Sequence, residues 1–513
     1  MLRRTLLYGL WTIPPALRAA DRGGALRIDP RAARKLEPAI FSTATMQNLA
    51  NVRPESPVLE RLLGAIRPPV LRLPGGNSMN LWDWNAGAVR TAEELHKFGE
   101  DPAGKMPKAS GGNSHDHAAY FAKMGGPMVA ERWAKLARQG GSEPLWGLNV
   151  STAAPEETRT FVQHLKSAHL PARLFELGNE LYLSENWGKQ VPTVQDYIRM
   201  AKAHAHEVKA VFPNAKVAVC VNANDDRTNG PLAKAAPDKF KPAPLSEWNA
   251  GLRQETFYDD VVIHLYFRPT ELGKMDGVSA DDFVRWAVVR SSAFSVGEIL
   301  DWTGQTFPKR RIWATEWNLN NAKHGRAKTF PYLPEHTILS GLFDASFLLN
   351  AASVPSNLTI ANYWQLNGGG DFGLISDAPF RERPAFHVFR MLSPVIHECD
   401  RIAALDVPGA PRVRGPRQFE VMEAPSVTAF AFFKGDKLRY LAGINFTNEK
   451  FPLRCAGAKA RLECLTAAEV LPSWNNPKNP KPGEWAPKYD VTQADVGLQS
   501  LSLEARSFSV IKV

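Results

Sequence analysis

The chain has 513 residues, 44% of them hydrophobic and 22% charged, a globular composition that excludes wholesale disorder and a fibrous architecture. Its length exceeds the roughly 250 residues that a single barrel or sandwich reaches, so two domains are expected, and no window approaches the about 18 uninterrupted apolar residues of a membrane span. The net charge of +10 carries no run of five or more Lys/Arg; it reads as a mildly basic surface, or one suited to an anionic substrate such as a uronic-acid polymer, without the basic stripe of a nucleic-acid binder.

Residues 1–20 read as a signal peptide. Arg3 and Arg4 form a charged region, Leu6 to Leu17 a short apolar stretch and Ala19-Ala20 a small-residue cleavage site, so export to the periplasm or beyond is expected. Residues 21–35 form an N-terminal segment, of which Ala25 to Ile28 is expected to complete a C-terminal β-sandwich.

From 36 to 395, short apolar runs alternate with segments of helical period. Strands are expected at Ala39–Ala44, Pro69–Leu73, Leu145–Val150, Leu174–Leu177, Val217–Val221, Val261–Tyr266, Ile312–Thr315 and Leu358–Trp364. Helices are expected at Pro57–Ile66, Met128–Gln139, Glu156–Ala168, Val194–Phe212, Asp281–Trp302 and Thr337–Leu349. Thr193 and Asp196 stand at capping-box spacing before the fourth of these. Fully apolar strands alternating with helices imply a parallel sheet covered on both faces, and eight such units are the number that closes a (β/α)8 TIM barrel. Residues 85–126 show little periodicity and read as a long functional loop on the active-site face. From 398 to 513 the period changes to two. Val427–Phe433 and Lys437–Asn445 flank a hairpin at Lys434-Gly435-Asp436, Phe508–Val513 makes a terminal strand, and a Pro-rich loop spans Leu471–Pro487. This part is expected to be an antiparallel β-sandwich.

The four cysteines make no disulfide scaffold at this length, although Cys455 and Cys464 are close enough in sequence to pair in an oxidising compartment. Their spacings fit no zinc pattern, and no metal or other cofactor is expected. Gly368-Gly-Gly370-Asp-Phe-Gly373 satisfies the spacing of a dinucleotide loop, but Pro379 and Pro384 follow it and no helix opens. It is assigned to a loop near the substrate site.

Two segments end an apolar run on a polar residue beside a glutamate: Leu174-Phe-Glu-Leu-Gly-Asn-Glu180 and Arg311-Ile-Trp-Ala-Thr-Glu316-Trp-Asn318. In a parallel barrel such positions face the catalytic mouth. Two carboxyl groups there are what glycoside hydrolysis requires, one to protonate the leaving oxygen and one to attack or to activate water. Together with Leu71-Arg-Leu-Pro-Gly-Gly-Asn77 and Trp82-Asp-Trp84, these motifs resemble retaining glycoside hydrolases of clan A. The similarity is to α-L-arabinofuranosidase-like and heparanase/β-glucuronidase-like enzymes, over 36–395 and the sandwich behind it.

The resemblance implies that Glu180 is the acid/base and Glu316 the nucleophile of a double displacement. Glu180 must then begin protonated, a form that the nearby charge of Glu316 favours. It also implies that Arg72 lies near the nucleophile, though a structural ion pair under the rim is a compatible reading, and that Tyr266 hydrogen-bonds it. Asn179, Asn77, His264 and Trp364 join the substrate-binding set, Asn179 through its amide and Trp364 through stacking on a sugar ring. The expected partner is a carbohydrate, uronate- or arabinose-containing. A non-catalytic carbohydrate-binding protein and a transglycosylase are the competing readings.

Overall fold

A computed structural model of the chain describes residues 25–46, 53–97, 116–183, 186, 190–223, 229–241, 244–273, 277–319, 337–368, 372–376, 381–457, 459–470 and 488–513. The signal peptide expected at 1–20 and the Pro-rich loop expected at 471–487 lie outside the described residues. So does part of the long segment after the second strand.

Eight parallel strands close into a barrel: β1 (Ser42–Met46), β2 (Val70–Gly75), β3 (Glu143–Leu148), β4 (Leu174–Leu177), β5 (Lys216–Cys220), β6 (Asp260–Phe267), β7 (Arg311–Leu319) and β8 (Leu358–Tyr363). Seven grow from the apolar runs; the first, expected over Ala39–Ala44, is displaced, because Pro38–Phe41 forms a short 3-10 helix and the strand begins at Ser42. Alternation within each run decides what fills the interior. Val70, Leu145, Ala218, Val262, Trp313 and Ile360 pack together as an apolar plug. Two residues further along their strands the plug gives way to polar groups, Arg72 after Val70, His264 after Val262 and Thr315 after Trp313. The site therefore rests on a dry floor.

Helices fill the spaces between strands: α1 (Pro57–Ile66), α2 (Ala92–Lys97), α3 (His117–Met124), α4 (Ala130–Gly140), α5 (Pro155–Ser167), α6 (Val194–Val211), α7 (Asn229–Ala235), α8 (Glu247–Leu252), α9 (Ala280–Arg290), α10 (Ala293–Thr306), α11 (Ile338–Ser353) and α12 (Pro384–Glu398). Thr193 caps α6 by accepting from the Asp196 amide, at the spacing read from sequence. Two expectations are corrected. The single helix over Asp281–Trp302 is two helices, because Ser292 starts afresh as an N-cap, accepting from the Ser295 amide. The segment 85–126 is not structureless: α2, α3 and a hairpin pairing Trp82–Asp83 with Ala88–Val89 occupy its described part.

The C-terminal part is a seven-stranded antiparallel sheet. In spatial order it runs from the two-residue strand Arg34–Lys35 through β9 (Arg401–Leu405), β10 (Val427–Lys434), β11 (Lys437–Asn445), β16 (Ser507–Lys512) and β13 (Lys459–Thr466) to β14 (Asp490–Gly497). A ribbon of β12 (Phe451–Pro452) and β15 (Ser502–Leu503) covers its outer face. The N-terminal contribution is displaced from the expected position. Arg34–Lys35 supplies the pairing strand, whereas Leu26 donates its amide to the Arg454 carbonyl at 2.8 Å and packs into the outer core. All four cysteines are free and buried, Cys455 and Cys464 among them; the Cys455 thiol donates to the Leu498 carbonyl.

Alternation in β10 and β11 sends Phe430, Phe432, Tyr440, Ala442 and Ile444 into the same apolar cluster as α11 and α12. Ala429, Ala431, Phe433 and Leu441 face the outer cluster. α11 carries one fully buried acid, Asp344, beside Tyr363 of β8. Burial pushes its carboxyl well above the ordinary range. The native state thus holds a proton that the unfolded chain releases above about pH 3.8. This contribution to stability is full below that pH and is lost as pH rises toward the native value. Asp344→Asn carries no such penalty, and its unfolding free energy in urea should gain on the parent as pH rises above about 4, by up to about 1.4 kcal/mol per pH unit. A difference that does not change with pH would contradict this account.

Candidate active site

The polar layer above the plug is organised by Arg72, which is fully buried. Its guanidinium donates to both oxygens of Glu176, at 2.7 Å from Nε and 2.6 Å from Nη2. It also donates to Glu316 Oε1 at 2.7 Å from Nη1 and to Asn179 Oδ1 at 2.8 Å from Nη2. Burial works against its charge, but Glu176 and Glu316 outweigh that and hold Arg72 as a cation. Both readings of Arg72 hold in geometry: it is a structural ion pair through Glu176 and a neighbour of Glu316.

Glu316 and Thr315 owe their shared direction to a β-bulge. The register of β7 against β6 slips between Ala314 and Glu316, so these consecutive residues do not alternate sides as an ordinary strand requires. Thr315 Oγ1 donates to Glu176 Oε1 at 3.2 Å, while Glu316 takes bonds from Arg72 and, at its other oxygen, from the Tyr266 hydroxyl. The Glu316 side chain is 4% exposed. Burial pushes its carboxyl up, the nearby His264 and Arg72 pull it down, and the net direction is upward. Burial and then the Glu316 charge push the Tyr266 phenol well above its usual range, so it stays a donor.

Glu180 follows β4 on a turn in which it adopts φ +46°, a left-handed conformation that non-glycine residues take at a cost. Asn80 holds the turn from both sides, accepting from the Asn179 amide at 2.8 Å and donating to the Asn179 carbonyl at 2.8 Å. The Asn179 side chain in turn donates to Asn77 Oδ1 at 2.7 Å. Glu180 is 18% exposed, more open than Glu316, and its Oε1 lies 2.8 Å from His264 Nδ1. His264 Nε2 lies 3.1 Å from Thr315 Oγ1. Burial acts to lower the His264 pKa, but the charge of Glu316 and the bond to Glu180 outweigh it, and the net direction is upward.

Trp364 closes the wall after β8. Its ring lies 6.0 Å from the Arg72 guanidinium and packs edge-on against Phe372. Gly75-Gly76 makes room for it: a Cβ on Gly75 would sit 2.8 Å from the ring and one on Gly76 2.6 Å from it. Gly368, Phe372 and Gly373 are the described part of the glycine-rich loop, and Phe372 also packs on Tyr266, in keeping with the placement of that loop by the substrate site.

No protein-family model matches the chain, and no curated protein does. Solved structures do. An α-L-arabinofuranosidase from Thermotoga maritima superposes with a TM-score of 0.65 at 19% identity, covering 95% of this chain and 99% of its own. A family 51 arabinofuranosidase from Xanthomonas axonopodis pv. citri gives 0.63 at 16%, covering 95% and 98%. A 4-O-α-L-rhamnosyl-β-D-glucuronidase from Fusarium oxysporum gives 0.54 at 14%, covering 95% and 99%. The chain has the fold of these glycoside hydrolases. In barrel and sheet alike it agrees with the architecture expected from sequence.

Every candidate catalytic or substrate-binding residue named from sequence lies in this one mouth, whereas Trp82 and Trp84 pack aside against Trp133 and Phe161. Sequence reasoning missed Glu176, Thr315, Asn80 and Phe372 as members of it. Glu176 had a signal, a charge in the middle of the apolar run Leu174–Leu177; Thr315 had none, since only the bulge turns it inward. Glu180, His264 and Glu316 offer ligand atoms within 4.8 Å of one another, the one such cluster among the described residues. A cation there would have to displace the His264–Glu180 bond beside the charge of Arg72, which fits a proton-sharing set better than a metal site.

Proposed function

We propose that the chain is a retaining glycoside hydrolase acting by double displacement. The observation that carries this reading is the approach of the two carboxyl groups, with an oxygen of Glu180 and one of Glu316 within 4.8 Å. That is near the roughly 5–5.5 Å of retaining enzymes, and short of the about 6.5–9.5 Å that leaves room for a water between them. Glu316, oriented by Arg72 and Tyr266, attacks the anomeric carbon. Glu180, the more open of the two, gives its proton to the leaving oxygen and later takes one from water. A transglycosylase would use the same groups, and a binding protein would need neither. Incubation with an activated 2-deoxy-2-fluoro glycoside should leave a covalent sugar on the peptide holding Glu316. A set of such reagents that leaves the protein unlabelled would favour the binding protein.

Of the two sugar classes, Arg268 favours a uronate. It continues the inward series Val262, His264, Tyr266 at the end of β6, and its guanidinium lies 5.5 Å from the Tyr266 ring centre. Its Nε is buried, with no acceptor among the described residues. A desolvated donor of this kind costs about 1–3 kcal/mol unless a ligand completes it, and a sugar carboxylate matches the fork of a guanidinium. Arg268→Met should lower the kcat/KM ratio of an aryl uronide to its matched aryl hexoside by roughly 10- to 100-fold. An unchanged ratio would return the choice to arabinosides. We also propose, from the leader-like residues Arg3 to Ala20, that the enzyme acts outside the cytoplasm.

A further inference from the structure

We propose that Thr315 is a positioning residue which fixes His264 as its Nε2–H form, so that Glu180 and His264 hold one catalytic proton between them. The inference rests on the glycosidase reading for its kinetic consequence, but its structural content is independent of turnover.

The argument is one of hydrogen-bond direction. Glu176 receives Arg72 on both oxygens, at 2.7 and 2.6 Å, and as an ionised carboxylate can only accept. The single hydroxyl proton of Thr315 is therefore committed to Glu176 Oε1 at 3.2 Å. What Thr315 Oγ1 offers to His264 Nε2, 3.1 Å away, is a lone pair, so Nε2 must carry hydrogen. In the neutral imidazole that leaves Nδ1 without one. Nδ1 lies 2.8 Å from Glu180 Oε1, and two bare lone pairs at that distance repel.

The contact is satisfied in two ways. Either Glu180 is protonated and donates to Nδ1, or His264 is an imidazolium and donates to the Glu180 carboxylate. Both states contain the same single proton, and the pair titrates as a unit. The state excluded by Thr315 is a bare Glu180 beside a neutral Nδ1–H ring. Proton loss from the pair is thereby made harder, and the acid needed for the first step persists to higher pH. When the proton passes to the leaving oxygen, the exposed Nδ1 lone pair makes Glu180 a stronger base toward the incoming water, whose proton restores the pair.

The surroundings do not offer another explanation. The other charged or titratable groups around the pair are Glu316, with Oε2 3.6 Å from Nδ1, Arg72, Tyr266 and Tyr182, whose hydroxyl donates to Glu180 Oε1 at 3.4 Å. On the neighbouring strand Cys220 interacts with Glu176 and Glu180, and burial pushes its thiol up to about 12, so it remains neutral. None of these offers Nε2 an acceptor in place of Thr315.

Thr315→Val removes the acceptor and lets the neutral ring move its hydrogen to Nδ1, where it stabilises the Glu180 carboxylate. The basic limb of the kcat/KM profile, which reports the free enzyme, should move down by about one pH unit, a tenfold weaker hold on the proton. Thr315→Ser should return it. A Thr315→Val enzyme that is slower but keeps both limbs in place would overturn the proposal. The 15N spectrum of the resting, histidine-labelled wild-type protein provides the second arm and needs neither activity nor a variant. At pH values above the titration of the pair, His264 should show hydrogen on Nε2; a neutral Nδ1–H ring would overturn the assignment. Should no glycoside be hydrolysed, the glycosidase reading falls, while the spectrum still decides the tautomer.

Discussion

Replacing Glu180 by alanine is expected to slow hydrolysis of glycosides with poor leaving groups by roughly 10²- to 10⁴-fold, the usual worth of a positioned general acid. Substrates whose aryl oxygen departs without a proton should suffer much less in bond cleavage, and the trapped intermediate should then accumulate. Sodium azide, small enough to enter where the carboxyl group stood, should restore turnover and yield a glycosyl azide. Glu316→Ala should lose at least about 10⁴-fold on good and poor leaving groups alike, as removal of a covalent nucleophile does. The contrast between the two variants is the diagnostic measurement. Equal losses at both positions on every leaving group, with no response to azide, would remove the division of labour assigned to them.

The second large effect is expected at Arg72. Its guanidinium is the shared counter-charge for Glu176 and Glu316, and all three side chains are buried. Arg72→Met would leave two carboxylates without their partner, and breaking a buried pair from one side typically costs about 3–5 kcal/mol. Activity should fall together with stability, because the Glu316 carboxylate is oriented by the same fork. Lysine should not rescue either property, since one ammonium cannot reproduce the paired bonds to Glu176 while reaching Glu316 and Asn179. Urea unfolding followed by tryptophan fluorescence tests this directly. A variant with an unmoved midpoint would show that the charges are compensated elsewhere.

What the sequence made legible follows from periodicity. Barrel strands buried on both faces are written as mainly apolar runs, and seven of the eight were visible as such; the first, Ser42–Met46, carries three hydroxyl residues and was expected too early, over a short 3-10 helix. The site was visible where a polar residue interrupted or ended a run, as at Arg72, Asn179, Glu180, His264 and Glu316. Period two also marks Arg268, the next position in the series after Tyr266, though nothing in the sequence says that its buried Nε lacks an acceptor among the described residues. The features that stayed hidden are ones in which local pattern does not determine geometry. The bulge at Thr315 breaks the alternation from which inward residues are inferred, and Glu176 passed as part of a motif because its partner lies 104 positions away. The serine pair between α9 and α10 permits a continuous helix as readily as a break. For residues 25–35, two short segments compete for one sheet edge, and the edge takes Arg34–Lys35 while Leu26 packs beneath.

The seam between barrel and sheet has a consequence for how such a chain can be altered. Because β9, β11 and β16 pack on α11, and β13 and β16 on α12, the sheet serves as the outer wall of the last two barrel units. Exchange of the C-terminal sheet with that of a distant relative would have to bring matching helix surfaces along with it. The same wall backs α11, which follows the strand bearing Glu316, so a substitution on the far side of the sheet has a packed route to the nucleophile.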